Sequence, residues 1–554
     1  MNSLRLSILA ALAISLSAPQ LRAQSAPEPF YEGLGNYTRK ITTKNPKAQR
    51  YFDQGLRLLH GFNHAAAIRS FQEAAKLDPE CAMAHWGVAL AAGPHINYPL
   101  VPPPMAELAW KELTLAKQHV DKASPVERDL IEALSHRYAW PQPEDRTPLD
   151  RAYADAMREV WRKHPKDTDV AVFFAESMMD LSPWNQWTLE GQPNPGTEEI
   201  IATLDEAIKL NPKHPMAHHL YIHAIEASPN PEKADVAADR LRKLQPGLAH
   251  NVHMPSHIDI RRGRWQEAIV QNAEAVKADK RYRKKIGNRP LGLIPFYAAH
   301  NQHMLAYAAT MTGQSKLAMQ YIRDMVKDLP PDFVKENSVI VESFMAFPLE
   351  IMVRFGKWDE ILKEPNNHPE HMPFTRAFHH AARAIAYAAK NEPEHARKEQ
   401  AIFRDRSAVV PKETAIGNNM AETILPLIDK MLEGEILVAE GRTDEGMAQL
   451  QAALEMEDRL KYDEPPAWMI PLRHVIGANL MRAGKFAEAE AVYREDLRRL
   501  PGNGWSLYGL AESLRAQNKD EAKQAKANFA KAWAKADVKI NSSCLCRPFA
   551  SLGR

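Results

Sequence analysis

The chain has 554 residues, and its 71 lysines and arginines against 69 aspartates and glutamates leave a formal net charge of +2. A balance this even excludes a protein that coats nucleic acid, and 45% apolar with 25% charged residues excludes wholesale disorder. Three cysteines are too few for a disulfide scaffold, and 22 histidines are the unusual count.

Residues 1–23 read as an export signal. Arg5 supplies the positive start, Leu6 to Ala18 is an uncharged apolar run, and small Ala23 precedes Gln24 at a plausible cleavage site. The run is shorter than the roughly 20 residues a bilayer span needs, and no later segment approaches that length. A secreted or periplasmic mature chain without a transmembrane segment is therefore expected, opening on a leader at 24–47.

From Ala48 to Cys81 the sequence falls into a 34-residue frame, with Gly55, Ala67, Phe71, Ala74 and Pro79 at places 8, 20, 24, 27 and 32. The spacing returns near the C-terminus: Gly477, Ala489, Tyr493 and Pro501 keep it from Ile470, and Ser513, Ala525, Phe529 and Ala532 keep it from Ser506. Small residues where two helices touch, an aromatic wedge and a closing proline together resemble the tetratricopeptide repeat (TPR) family. The chain is similar to an exported, bacterial-type TPR protein.

More degenerate frames fill the middle. Those at Pro215 and Ala249 are 34 residues apart, with Pro246 and Ala268 in place, and one near Ala299 holds Gly313, Ala318 and Pro330. Weaker frames begin near Thr168, Glu342, Ala377 and Leu427. An all-α class is expected: a TPR-like α-solenoid, a superhelix of helical hairpins with loop insertions, its repeats at 48–340 and continuing over 341–540. A tail at 541–554 carries Cys544 and Cys546, and Cys81 lies far from both. The insertions are Gly93 to Pro104, Ser182 to Gly196 with Trp184 and Trp187, and the basic stretch Asp279 to Pro295. Such loops tend to gather on a binding face.

The TPR resemblance implies a concave groove lined by places 2, 5, 6, 9, 12 and 13 of each first helix. On that frame His219, His223 and Glu226 take places 5, 9 and 12, and His250, His253, His257 and Arg261 take places 2, 5, 9 and 13. His300 and His303 take places 2 and 5 of the next frame. Helical geometry agrees independently, because spacings of i, i+4, i+7 and i, i+3, i+7 each draw one stripe along a helix. Imidazoles from neighbouring helices, about 8–10 Å apart, can converge on one ion. His219, His223, His253 and His257 are thus expected to share a transition metal, with His300 and His303 as further ligands and Glu226 as a ligand or general base. Pro255 interrupts the helix between His253 and His257 unless it opens a new first turn.

Histidine with carboxylate suits zinc or iron, while the His253-Met254, His303-Met304 and His371-Met372 pairs lean towards copper. Nucleotide and haem motifs are absent. Glu176 and Asp180, one turn apart on a helix expected over Asp169 to Leu181, read as a solvated face ahead of the alternative, groove carboxylates facing the histidines. Three functions stay open. One is a protein binding a transition metal, with a peptide, protein or small ligand in a histidine-lined groove. The second is a metal-dependent hydrolase or oxidoreductase with Glu226 as base and Trp184, Trp187 and Arg261 on the substrate. The third is a metal-free interaction scaffold of the cell envelope, which is all the resemblance itself implies.

Overall fold

A computed structural model describes residues 27–545. The signal read at 1–23 and Cys546 of the tail lie outside the described residues. The expected all-α class holds: among the described residues the only strands are the two-residue pair Ala415–Ile416 and Asn419–Met420. None of the described helices is long and apolar enough to cross a membrane.

In chain order the elements are α1 (Pro46–Leu59), α2 (His64–Leu77), α3 (Ala82–Ala91), α4 (Pro103–Gln118), α5 (Pro125–Ser135), α6 (Thr147–Lys163) and α7 (Thr168–Met179). They continue as α8 (Thr197–Leu210), α9 (Pro215–Ile225), α10 (Asp235–Leu244), α11 (Ala249–His253), α12 (Pro255–Arg261), α13 (Trp265–Ile286) and α14 (Ile294–Met311). Local chemistry sets their starts. Asn45, Asn63 and Asp167 side chains accept from first-turn N–H groups of α1, α2 and α7, and Ser124 with Glu127 forms a capping box on α5. Prolines open α1, α5 and α9, where the missing N–H costs nothing.

The described chain divides by its contacts into two compact units, residues 27–258 with 274–298 and residues 259–273 with 299–545. Each shows the physical meaning of the repeat frame. In the first, a Cβ at Gly55 would lie 2.6 Å from the Phe71 ring, and one at Gly87 on the following repeat would also lie 2.6 Å from it. Two helices therefore close on one ring, and only glycine leaves room. In the second unit Gly477 and Gly509 clamp Tyr493 in the same way. That unit continues through hairpins such as Pro373–Ala389 with Pro393–Ser407, Ala421–Ala439 with Thr443–Glu457, and Gly504–Ala516 with Ala522–Ala532.

Within the first unit, residues 27–45 run across several repeats. Arg39 is buried between Asp167 (2.7 Å) and Asp169 (2.8 Å), Thr42 N–H donates to Glu127, and Gly247 N–H donates to the Gly33 carbonyl at 2.8 Å. Glu176 and Asp180 depart from the expected solvated face, because α7 is buried along its length. Burial pushes the Glu176 carboxyl up to about 7 against the pull of Arg137, and Asp180 pairs with Arg137. Cys81 is buried and free, and Cys544 is disulfide-bonded.

Candidate metal centre

Histidine rings gather where α9, α11 and the start of α12 meet the turn between α1 and α2. On α9, His219 and His223 share a face one turn apart. The chain then breaks at Pro255, which opens α12 in place of continuing α11, so His253 ends one helix and His257 lies in the first turn of the next. His219, His223, His250, His253 and His257 are all buried, with His219 and His253 fully shut from solvent. They do not line an open groove. Phe62, held at a left-handed φ of 54° in the α1–α2 turn, covers them: its ring centroid lies 4.3 Å from His219 and 5.4 Å from His250. Gly61 admits this turn, since a Cβ there would meet Leu248 at 2.8 Å. Tyr297 packs on His250 at 4.7 Å.

The hydrogen bonds fix the tautomers. His219 Nδ1 lies 2.8 Å from the His60 carbonyl, which can only accept, so Nδ1 carries the proton. His223 Nδ1 lies 2.7 Å from Glu226 Oε1 and, facing a carboxylate, also donates. Both Nε2 atoms are left as bare lone pairs, yet they face each other at 3.2 Å. Burial, then the neighbouring His223, hold His219 well below the ordinary imidazole value, and burial also lowers His223 against the opposing pull of Glu226. Two neutral imidazoles in this arrangement repel. An ion between them removes the conflict, because ligand nitrogens about 2.05 Å from a tetrahedral metal lie about 3.3 Å apart. His250 completes a trio whose ligand atoms lie within 4.8 Å of one another.

Glu226 accepts from two rings at once, His223 Nδ1 on Oε1 and His257 Nδ1 on Oε2, each at 2.7 Å. Burial would raise its carboxyl, but His257 and the two hydrogen bonds outweigh that and hold it at about 2. In this arrangement both of its oxygens face imidazole nitrogens. A carboxylate behind two imidazoles orients them and raises their basicity, as second-layer carboxylates do behind metal-bound histidine.

Of the other expected site residues, Trp184 stands edge-on to His223 with centroids 5.0 Å apart, half-buried and at a left-handed φ of 58°. Trp187 supports that loop by donating to the Ala224 carbonyl at 2.7 Å. His300, His303 and Arg261 belong to the second unit. There His303 stacks on Phe347 at 4.0 Å with Nε2 3.0 Å from the Met469 sulfur, and Arg261 lies over the Tyr462 ring. Met254, Met304 and Met372, the partners in the His-Met pairs, are buried apolar residues.

Two contributors lie outside the ligand set expected from the sequence: His250, which takes a groove place, and His60, whose carbonyl fixes His219 and which occupies place 13 of the first frame. His60 also forms a buried group with Asp169 and His214. There the His214 Nδ1 accepts from Ala217 N–H as a helix cap and its Nε2 faces Asp169 at 3.1 Å, so these two members are held in structural bonds, whereas neither ring nitrogen of the buried His60 has a hydrogen-bond partner.

No protein-family model matches the chain, and none of the curated proteins compared does. Among solved structures, the human IFIT1 dimer with m7Gppp-AAAA is 12% identical, covering 82% of this chain and 90% of that one at a TM-score of 0.34. Yeast Tom70 is 11% identical, covering 87% and 90% at 0.29. Likeness at this level carries no functional argument. The chain's own packing, with paired glycines closed on Phe71 and on Tyr493, makes it a TPR-like helical repeat protein.

Proposed function

We propose that this repeat protein holds a transition-metal ion on the Nε2 atoms of His219 and His223 and a ring nitrogen of His250, in the compartment to which a signal at 1–23 would deliver it. One observation carries the reading: two buried, neutral imidazoles whose tautomers are fixed by a carbonyl and a carboxylate point bare lone pairs at each other across 3.2 Å. An all-imidazole set at a near-tetrahedral separation favours zinc or copper(I) over octahedral ions. Three protein ligands leave a fourth position, the arrangement of catalytic zinc sites, and the half-buried Trp184 beside His223 supports metal-dependent catalysis as the second reading. The helical repeats around the centre suit a protein-binding scaffold.

The test is elemental analysis of protein prepared without a histidine tag and reloaded with zinc. Bound zinc is expected in the wild type and lost in His219→Ala and His223→Ala while the helical circular dichroism persists. Cobalt substitution should give the intense visible bands of a tetrahedral site. Wild-type protein that takes up no zinc or copper after reloading overturns the proposal.

A further inference from the structure

The three-histidine centre leaves a second pair of imidazoles unexplained. His253 and His257 face each other with Nε2 atoms 2.9 Å apart and rings at 82°, in the same unit and buried to the same degree. Their outer nitrogens are also assigned by their partners. His257 Nδ1 lies on Glu226 Oε2 at 2.7 Å and donates to it. Ser256 Oγ donates to the His253 carbonyl at 2.7 Å, so the oxygen it presents to His253 Nδ1 at 3.4 Å is an acceptor. The protons of both rings are thereby drawn to Nδ1, and both Nε2 lone pairs point inward.

Pro255 opens α12 directly after α11 ends, and His253 and His257 lie four residues apart across that junction with their rings crossed at 82°. The separation also differs from that of the first pair. With metal–nitrogen bonds of about 2.05 Å, 2.9 Å corresponds to an angle close to a right angle at the ion, against about 103° for the 3.2 Å pair. Right-angled nitrogen pairs are the edges of tetragonal and octahedral sites.

We infer that His253 and His257 bind a second divalent transition-metal ion, of a tetragonal type such as copper(II), and that Glu226 links the two sites by orienting one histidine of each. The inference rests on the three-histidine reading for its logic but not for its ligands. Glu226 gives one oxygen to His223 and the other to His257, which makes it a shared positioning residue.

Full-length protein is loaded with copper(II) alone, and separately with zinc alone, and bound metal is counted after removing excess. Two equivalents of copper are expected in the wild type and one in a His253→Gln, His257→Gln double variant. A His219→Gln, His223→Gln double variant should also keep one. Electron paramagnetic resonance of the copper-loaded wild type should show dipolar coupling between neighbouring ions, replaced by an isolated axial signal in either double variant. A single equivalent that survives loss of His253 and His257 but not of His219 and His223 overturns the second site and leaves the first. No bound copper or zinc in the wild type overturns both. The glutamine variants keep side-chain bulk in the core, and a variant that loses its helical signal is replaced by the single His257→Gln change, for which one equivalent is again expected and two overturn the inference.

Discussion

Replacing Glu226 by glutamine removes one charge and almost no volume, so its effects isolate the role of the carboxylate. Glu226 is 1% exposed and receives the Nδ1 protons of His223 and His257, each across 2.7 Å. Burial raises its carboxyl, yet His257 and the two hydrogen bonds hold it at about 2 against an ordinary 4.5. A carboxyl held that far down stabilises the folded chain by about 3 kcal/mol, fully present above the unfolded value and lost as pH falls from 4.5 through about 2. Glutamine offers one acceptor oxygen and one donor NH2, so it can accept from only one ring. The other ring must turn a lone pair to the amide and move its proton to Nε2, the atom meant for metal. Loss of an orienting partner behind a metal ligand weakens affinity by about 10- to 100-fold, or about 1.4–2.7 kcal/mol. Chelator competition for zinc and copper measures the affinity, and urea unfolding of the metal-free protein measures the stability. Glu226→Gln should weaken binding in that range and lower apo stability by about 3 kcal/mol with unchanged helical content. Wild-type affinity in this variant would refute the carboxylate's orienting role.

Other outcomes follow from the same geometry. Gly55→Ala puts a Cβ 2.6 Å from a Phe71 ring already pressed from the far side by Gly87, so overpacking of about 1–3 kcal/mol should outweigh the roughly 1 kcal/mol gained in helix propensity; thermal unfolding at or above the wild-type midpoint would contradict the clamp. Metal-free protein should lose stability below pH 6.5. Burial, with His214 adding, holds His60 down at about 3, so the unfolded chain gains protons that the folded one refuses, about 2 kcal/mol per such histidine by pH 5. Equal denaturation midpoints at pH 7.5 and pH 5 would count against buried neutral imidazoles. Arg39→Met leaves Asp167 and Asp169 facing each other without their cation, and a loss of about 3–5 kcal/mol is expected in chemical denaturation; a variant as stable as wild type would remove the N-terminal segment from the fold's supports.

Much of the fold was legible because a repeat writes its packing into spacing. Gly55 and Phe71 are 16 residues apart, as are Gly477 and Tyr493, and the structure presses each glycine on its ring. The histidine stripe was equally readable, since i, i+4 on α9 needs only helical geometry to bring His219 and His223 together. Tertiary contact decided the rest. Whether a groove place is open depends on what lies over it, and here the Phe62 turn and the Trp184 loop, both at left-handed φ, close over the imidazoles. Neither side chain nor its spacing announces that conformation. Which nitrogen carries a proton depends on the partner behind each ring, and the partner of His219 is a carbonyl 159 residues earlier in the chain. Glu226 shows the division most clearly. Its position three residues after His223 is local and could be read directly, but its second oxygen meets His257, on another helix, only in the folded chain. Sequence by itself determined the helical hairpins and the stripe of ligand-type residues, because both follow from local periodicity. The tertiary structure alone decided the burial, the tautomers and the pairing of lone pairs, because each of these depends on groups that only folding brings together.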